Sequence, residues 1–264
     1  MMNLTKISKE AIAIAKDAAS FIKSERSFFR QSDIEVKGLN DLVSYVDRTS
    51  EYMIVNGLKS LIPSAGFIVE EKTIAQQKSE FQWVIDPLDG TTNFIHGLMP
   101  YAVSIGLLYK DEPVLGVICE VGNMECFSAI KGKGAFLNKE PIQVSAIKNI
   151  SESLIITGFP VNEFSKNEVS YKLMDYFIKN THGIRRLGSA AADLAYIACG
   201  RSEAFYEYDL KPWDVAAGAI IVKEAGGMVS DFKAKDNFIF GKEIVATNFN
   251  IYDEFIEIIS KLIS

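Results

Sequence analysis

Leu4, Ile7, Ala11, Ile14, Ala18 and Phe21 recur at intervals of three and four residues. That spacing lines up one face of an α-helix, so an amphipathic helix is expected over residues 4–29. A second helix is expected from the 44–47 region to Leu61, stopped by Pro63, whose ring cannot continue it. The rhythm then changes. Residues 66–69 and 81–85 read as short buried strands. Three β-branched runs, AVSIGLLY, PVLGVICE and MECFSAI, are separated by Asp111-Glu112 and Gly122-Asn123, the pattern of an antiparallel meander over 101–130. Gly132 and Gly134 continue the turn-rich stretch.

Beyond about residue 150, helices are expected over 165–178, over 189–199, from Trp213 or Asp214 to Gly226-Gly227, and over 251–263. Strands are expected near Ile184 and over 204–208. No repeat or low-complexity tract interrupts this mixture. The expected architecture is α+β, in two intimately joined lobes spanning 1–145 and 146–264 that pack as one unit.

Composition narrows the role of any metal. With 264 residues, 48% of them hydrophobic, the chain can bury a core that needs neither disulfide nor metal to hold it, so a bound metal would serve chemistry. Asp plus Glu number 34 against 28 Lys plus Arg, a net charge of -6 that argues against a nucleic-acid partner. The short Lys131/Lys133 and Arg185/Arg186 pairs read as solvated surface charge. Cys119, Cys126 and Cys199 lack ligand spacing and read as free buried thiols. The early apolar run 11–15 is closed by Lys16, and the longest, 101–109, is half a membrane span. A cytoplasmic protein without a membrane partner is expected.

The densest chemical signal is Trp83-Val-Ile-Asp86-Pro-Leu-Asp89-Gly-Thr91-Thr-Asn93-Phe94, where two carboxylates emerge as a buried strand ends. Pro87 presets one φ angle and Gly90 permits close backbone approach, so the loop can hold Asp86, Asp89 and the Leu88 carbonyl around a hard cation. The amides of Gly90, Thr91 and Thr92 then open a helix and can cradle phosphate. Read alone, the same residues also fit a β-turn with its acids in water. Glu70-Glu71 follows another strand, GFIV, and Asp214 stands beside Trp213 at a helix start, where Asp is also a common N-cap.

Together these segments resemble the inositol monophosphatase family of magnesium-dependent, lithium-sensitive phosphatases. The resemblance rests on Asp41-Leu-Val-Ser-Tyr-Val-Asp47, Glu70-Glu71, the 83–94 block, Gly188-Ser-Ala-Ala191, and Trp213-Asp214-Val-Ala-Ala-Gly218 followed by Glu224-Ala-Gly-Gly227, in family order. It implies a layered α-β-α-β-α sandwich, usually a homodimer, with two or three Mg²⁺ per subunit. Glu70, Asp86 and the Leu88 carbonyl would hold one ion, and Asp86, Asp89 and Asp214 a second. A third, weaker ion would also face Glu70. Asp47 and Thr91, with Glu70, match the groups that activate the attacking water. The Gly90 and Thr91 amides would bind phosphate, Ser189 and Ala190 would line the pocket, and Glu207 would accept hydrogen bonds from inositol hydroxyls.

The expected reaction is therefore Mg²⁺-dependent hydrolysis of inositol 1-phosphate, or of another small phosphorylated polyol or sugar. Gly90-Thr-Thr-Asn-Phe94 favours the inositol branch over nucleotidases reading Gly-Thr-Lys-Glu-Phe, whereas Val69 departs from the Gly or Ser that usually precedes the Glu pair. The alternatives are a fructose-1,6-bisphosphatase, which would need Lys211 or Arg185 for its second dianion, and a regulatory protein- or RNA-binding module on the same fold. Covalent mechanisms fit poorly. Asp86 and Asp89 are too far apart for an aspartyl-phosphate motif, no cysteine sits in a phosphate loop, and His96 and His182 read as surface or turn residues.

Overall fold

The computed structural model describes residues 2–38, 41–159 and 167–263. Helix α1 (Leu4–Arg26) buries Ile7, Ala11, Ala15, Ala18 and Ile22, and Asn3 caps it by accepting from the Lys6 amide at 3.1 Å. It ends three residues before the expected 29. A hairpin that the periodicity does not announce, β1 (Ile34–Gly38) and β2 (Asp41–Ser44), leads into α2 (Tyr45–Lys59). Ser44 and Asp47 form a reciprocal capping box at that junction.

The chain then builds β3 (Gly66–Val69), β4 (Phe81–Asp89), α3 (Thr91–His96), β5 (Ala102–Tyr109), β6 (Glu112–Glu120), β7 (Glu125–Ile130), β8 (Ala135–Leu137) and β9 (Glu140–Ile142). These strands form one seven-stranded sheet in chain order, with β3 parallel to β4 and every later pair antiparallel. The expected meander is thus present and runs two short strands further.

The second half comprises β10 (Leu154–Thr157), α4 (Asn167–Asn180), β11 (Gly183–Arg185), α5 (Ala190–Ala198), β12 (Ala204–Tyr208), α6 (Pro212–Glu224), β13 (Met228–Ser230), β14 (Glu243–Thr247) and α7 (Tyr252–Ile263). Its sheet has the order β11-β10-β12-β14-β13 and is mixed. The expected helix start at Ser165 lies outside the described residues. β10, β13 and β14 were not expected: at four, three and five residues they are too short to display a period.

Alternation along the strands assigns the layers. Trp83 and Ile85 pack with α1 and α2, whereas Val84 between them packs with α5 and α6. In the smaller sheet, Ile156, Phe205, Ile244 and Ala246 join that same central core, while Ile155, Ala204, Tyr206 and Val245 pack with α4 and α7. The result is the α-β-α-β-α sandwich. The middle of α6 and most of α5 are apolar on every side because both faces are covered, with Asp193 on α5 and Asp214 at the start of α6 as polar exceptions.

Close approach sets the height of α6. Gly106 and Gly116 stand opposite each other on β5 and β6, and a Cβ at Gly116 would lie 2.4 Å from the Ala217 carbonyl oxygen. Bare backbone at these two positions lets α6 rest directly on the sheet and fixes its first turn, which carries Asp214. Among the described residues, no helix is long and apolar enough to cross a membrane.

Candidate active site

β4 continues through Asp89, so both acids of the 83–94 block lie within a strand. Residues three apart in a regular strand face opposite sides of the sheet. Here the pairing passes from Asp86↔Ser104 to Asp89↔Ala102, which places one extra residue in β4. Pro87, which has no amide to give the ladder, lies in this bulge. The extra residue turns Asp89 back to the side of Asp86. Carboxylate oxygens of Asp86, Asp89 and Asp214 all lie within 4.8 Å of one another.

The acids are held by local hydrogen bonds and by distant parts of the chain, the Leu88 amide donating to Asp86 at 2.9 Å. The Ser104 hydroxyl, opposite Asp86, donates to the Trp213 carbonyl at 3.1 Å and ties the first turn of α6 to β5. The Lys211 amide donates to Asp214 at 2.6 Å. Asp89 accepts from the Ser189 hydroxyl at 2.6 Å and the Ala191 amide at 2.7 Å, at the start of α5. Asn93 donates to the Pro100 and Leu187 carbonyls, both at 2.7 Å, joining α3 to the loop before Ser189.

The cluster is electrostatically costly without a cation. Burial first, then the charges of Glu70, Asp89 and Asp214, push the Asp86 carboxyl well above its ordinary range, and a hydrogen bond with Glu70 adds to this. Burial raises Asp89 to about 6, against the hydrogen bonds from Ser189 and Ala191. Burial, then the Asp89 charge, raises Asp214 to about 7. Buried acids in this state keep protons that a hard cation can replace, and the donor set is all oxygen, which fits Mg²⁺.

The sign of the pH dependence follows. These carboxyls are raised above their unfolded values, so the metal-free fold is best supported below about pH 4 and loses that support as pH rises through about 6 to 7. Cation binding needs the ionised acids, so its contribution grows over the same window. Millimolar Mg²⁺ is expected to raise Tm more at pH 8 than at pH 5.5 in a thermal melt, and equal or absent shifts at both would contradict the cation site.

Beside the cluster, the Thr91 hydroxyl lies 2.9 Å from both Asp47 Oδ1 and the Leu88 carbonyl. Asp47 is buried and accepts on Oδ2 from the Ser44 amide at 2.9 Å and the Ser44 hydroxyl at 2.7 Å. Burial is the main cause of its raised carboxyl pKa. Gly90, with φ of 87°, caps α3 in the left-handed region, and its amide supports Asp89. Sequence reasoning missed Glu51. Fully buried on α2, it accepts from the Glu71 amide at 2.7 Å, the Thr73 amide at 2.8 Å and the Thr73 hydroxyl at 2.7 Å, anchoring the loop that carries Glu70. The available signal was a polar residue on the same helix face as Ile54, Val55 and Leu58.

Glu70, Asp86, Asp89, Thr91 and Asp214 open into a cavity of about 570 Å³ whose walls also include Ser189, Ala190, Glu207, Arg186, Asp209 and Lys211. Lys211 Nζ is 3.2 Å from Asp209 Oδ1. Arg185 is exposed, is not among the lining residues, and donates to its neighbour's carbonyl at Ile184. His96 and His182 are exposed and also lie outside the lining.

Comparison with known proteins agrees with this geometry. The model of the Inositol monophosphatase family matches residues 3–264. The chain is 39% identical over 258 residues to Inositol monophosphatase 2 of Solanum lycopersicum, covering 95% of this chain and 97% of that protein. It is 35% identical to the Nus factor SuhB of Pasteurella multocida over 96% of each chain. The crystal structure of extragenic suppressor protein suhB from Bartonella henselae superposes with a TM-score of 0.90 at 35% identity, covering 97% of this chain and 99% of that one. Matched over nearly its whole length, with the acidic cluster assembled by the bulged strand and the two central helices, the chain belongs to the inositol monophosphatase family.

Proposed function

We propose that the protein is a Mg²⁺-dependent phosphomonoesterase whose preferred substrate is inositol 1-phosphate. The observation that carries this reading is the convergence of Asp86, Asp89 and Asp214 within 4.8 Å, next to the Thr91–Asp47 hydrogen bond. Membership of the family itself implies a phosphatase.

Glu70, Asp86, the Leu88 carbonyl, Asp89 and Asp214 would hold the ions. When bound, Mg²⁺ supplies positive charge that offsets the phosphate dianion and its leaving group and favours ionisation of the attacking water. The chain's own part is positioning and proton transfer. A threonine hydroxyl has one hydrogen; when Thr91 gives it to Asp47 Oδ1, the Thr91 oxygen is left to accept from a water. The water's proton passes to Thr91 Oγ1 as the Thr91 hydrogen moves onto Asp47, whose burial makes it a stronger base than an exposed aspartate. The Gly90 and Thr91 amides would receive the phosphate, the Gly90 amide being shared with Asp89. Ser189 and the start of α5 keep Asp89 in place throughout.

The leaving-group side favours a monophosphate. Lys211 is held by Asp209 and Arg185 stands outside the cavity, so neither of these two basic residues is free to receive a second dianion, and Arg186 on the same wall stands beside the acids Asp193 and Glu207. Glu207 faces a polyol as a hydroxyl acceptor beside Ser189 and Ala190. The same reading carries two or three ions per subunit, lithium sensitivity, a cytoplasmic location and a homodimer. Leu98 and Met99, 61% and 60% exposed after α3, offer apolar surface for the dimer.

Phosphate release with Mg²⁺ from inositol 1-phosphate, fructose 1,6-bisphosphate, histidinol phosphate and adenosine 3′,5′-bisphosphate tests the reading. Preference for inositol 1-phosphate, abolished by EDTA, is expected; preference for another substrate discards the inositol assignment. The Nus factor names among the relatives favour a second reading, a regulatory protein- or RNA-binding role on the same fold. Silence across the whole panel would move the weight to it.

A further inference from the structure

We propose that Asp193 is a specificity-determining residue of this cavity, accepting a second hydroxyl of the leaving group beside Glu207. The proposal rests on the phosphatase reading and deepens it. Asp193 interrupts the apolar run of α5, AAADLAYIA, where every neighbour along the helix packs in the central core. Its side chain is 1% exposed, yet Oδ1 has no hydrogen-bond partner. A buried carboxyl with an unpaired oxygen weakens a fold, and an alanine or leucine there would serve the core better. Packing therefore gives no account of it.

The cavity does. Asp193 is one of its lining residues, as is Glu207, whose charge acts on Asp193 more strongly than any other. The Glu207 carboxylate is seated against bare backbone, with Oε1 only 1.9 Å from where a Cβ on Gly158 would stand. A second unpartnered buried oxygen, Asp209 Oδ2, belongs to another lining residue whose charge acts on Glu207. Arg186 also lines this wall, and its charge acts on Asp193, Glu207 and Asp89.

Burial raises both the Asp193 and Glu207 carboxyls well above their ordinary range, and an acid in either protonation state keeps acceptor capacity, so a ligand hydroxyl, which both donates and accepts, satisfies it. A second phosphate brings further acceptors and negative charge, which this wall repels. A ring bearing several free hydroxyls brings donors, and each orphaned oxygen gains a partner when it enters. The substrate class is thus a monophosphate ester of a polyhydroxylated ring, and removing a hydroxyl that Asp193 reads should be penalised because it leaves that acid unpaired again.

The test is steady-state kinetics with Mg²⁺ on myo-inositol 1-phosphate and on phenyl phosphate, whose leaving group has no other hydroxyl. Asp193→Ala is expected to raise KM for myo-inositol 1-phosphate about 10- to 100-fold, the span for losing a hydrogen bond to a charged group, while kcat/KM for phenyl phosphate stays within about twofold. Asp193→Asn, which keeps the shape and an acceptor oxygen but cannot ionise, is expected to show the same selectivity with a smaller change. Both variants should melt at or above the wild-type temperature, because a buried ionisable carboxyl with an unpaired oxygen has gone. If the wild type hydrolyses myo-inositol 1-phosphate but the variants lose activity equally on both substrates, or on neither, this proposal fails alone. A wild type inactive on myo-inositol 1-phosphate overturns the function reading and this proposal together.

Discussion

Asp86→Asn is expected to lower the rate of phosphate release by about 10³-fold, the upper end of the cost of removing one group that stabilises transition-state charge. Asp86 is the member of the cluster on which every other acid acts: Glu70, Asp89 and Asp214 all raise its carboxyl pKa. It is also 2% exposed, so no solvent relieves the crowding. Asparagine has nearly the same shape but no charge, and the bulge that places it depends on Pro87 and the strand register, which the substitution leaves intact. The variant should therefore fold, and at pH 8 without Mg²⁺ should melt higher than the wild type because one acid of the crowded cluster can no longer ionise. It should also gain less from added Mg²⁺. Circular dichroism melts beside a phosphate-release assay check both halves, and wild-type turnover in the variant would overturn the assignment of Asp86 to the ions.

The second large effect concerns the proton path. Asp47→Asn is expected to reduce kcat by about 10³-fold, in the range for losing a positioned general base. The carboxamide oxygen introduced by this substitution could still accept the Ser44 amide hydrogen bond, so α2 should keep its start. Thr91→Val, which removes the relaying hydroxyl but not its bulk, should cost a comparable amount, and the double variant should lose little more than either single one because the two groups act as a unit. Additive losses would show that they act separately. The pH profile gives an independent check. Burial raises the Asp47 carboxyl, so in the wild type kcat should climb with pH as Asp47 ionises at a pH above the usual aspartate range, and that limb should vanish in Asp47→Asn.

The long amphipathic elements were legible in the chain because their periodicity is repeated many times. The stripe of α1 spans about six turns, and the meander gives three strands of six to nine residues. β8, β9, β10, β13 and β14 were not legible, since three to five residues hold too few alternations. The acids at 86, 89 and 214 were legible as residue types in a motif. Their convergence depends on contacts that local pattern does not encode: one extra residue in β4, two glycines that lower α6 onto the sheet, and Ser104 holding Trp213 from 109 positions away. Glu51 and Asn93 were overlooked for the same reason, as their partners lie in other elements.

The central claim is that the Asp86, Asp89 and Asp214 carboxylates form a cation site on which phosphate-ester hydrolysis depends. Anomalous diffraction from crystals soaked in Mn²⁺ at pH 8, compared with Asp86→Asn crystals treated alike, tests it most directly. Anomalous peaks bounded by these three carboxylates are expected, one of them contacting Asp86, and they should weaken or vanish in the variant. Crystals of an active protein with no peak at the cluster would contradict it.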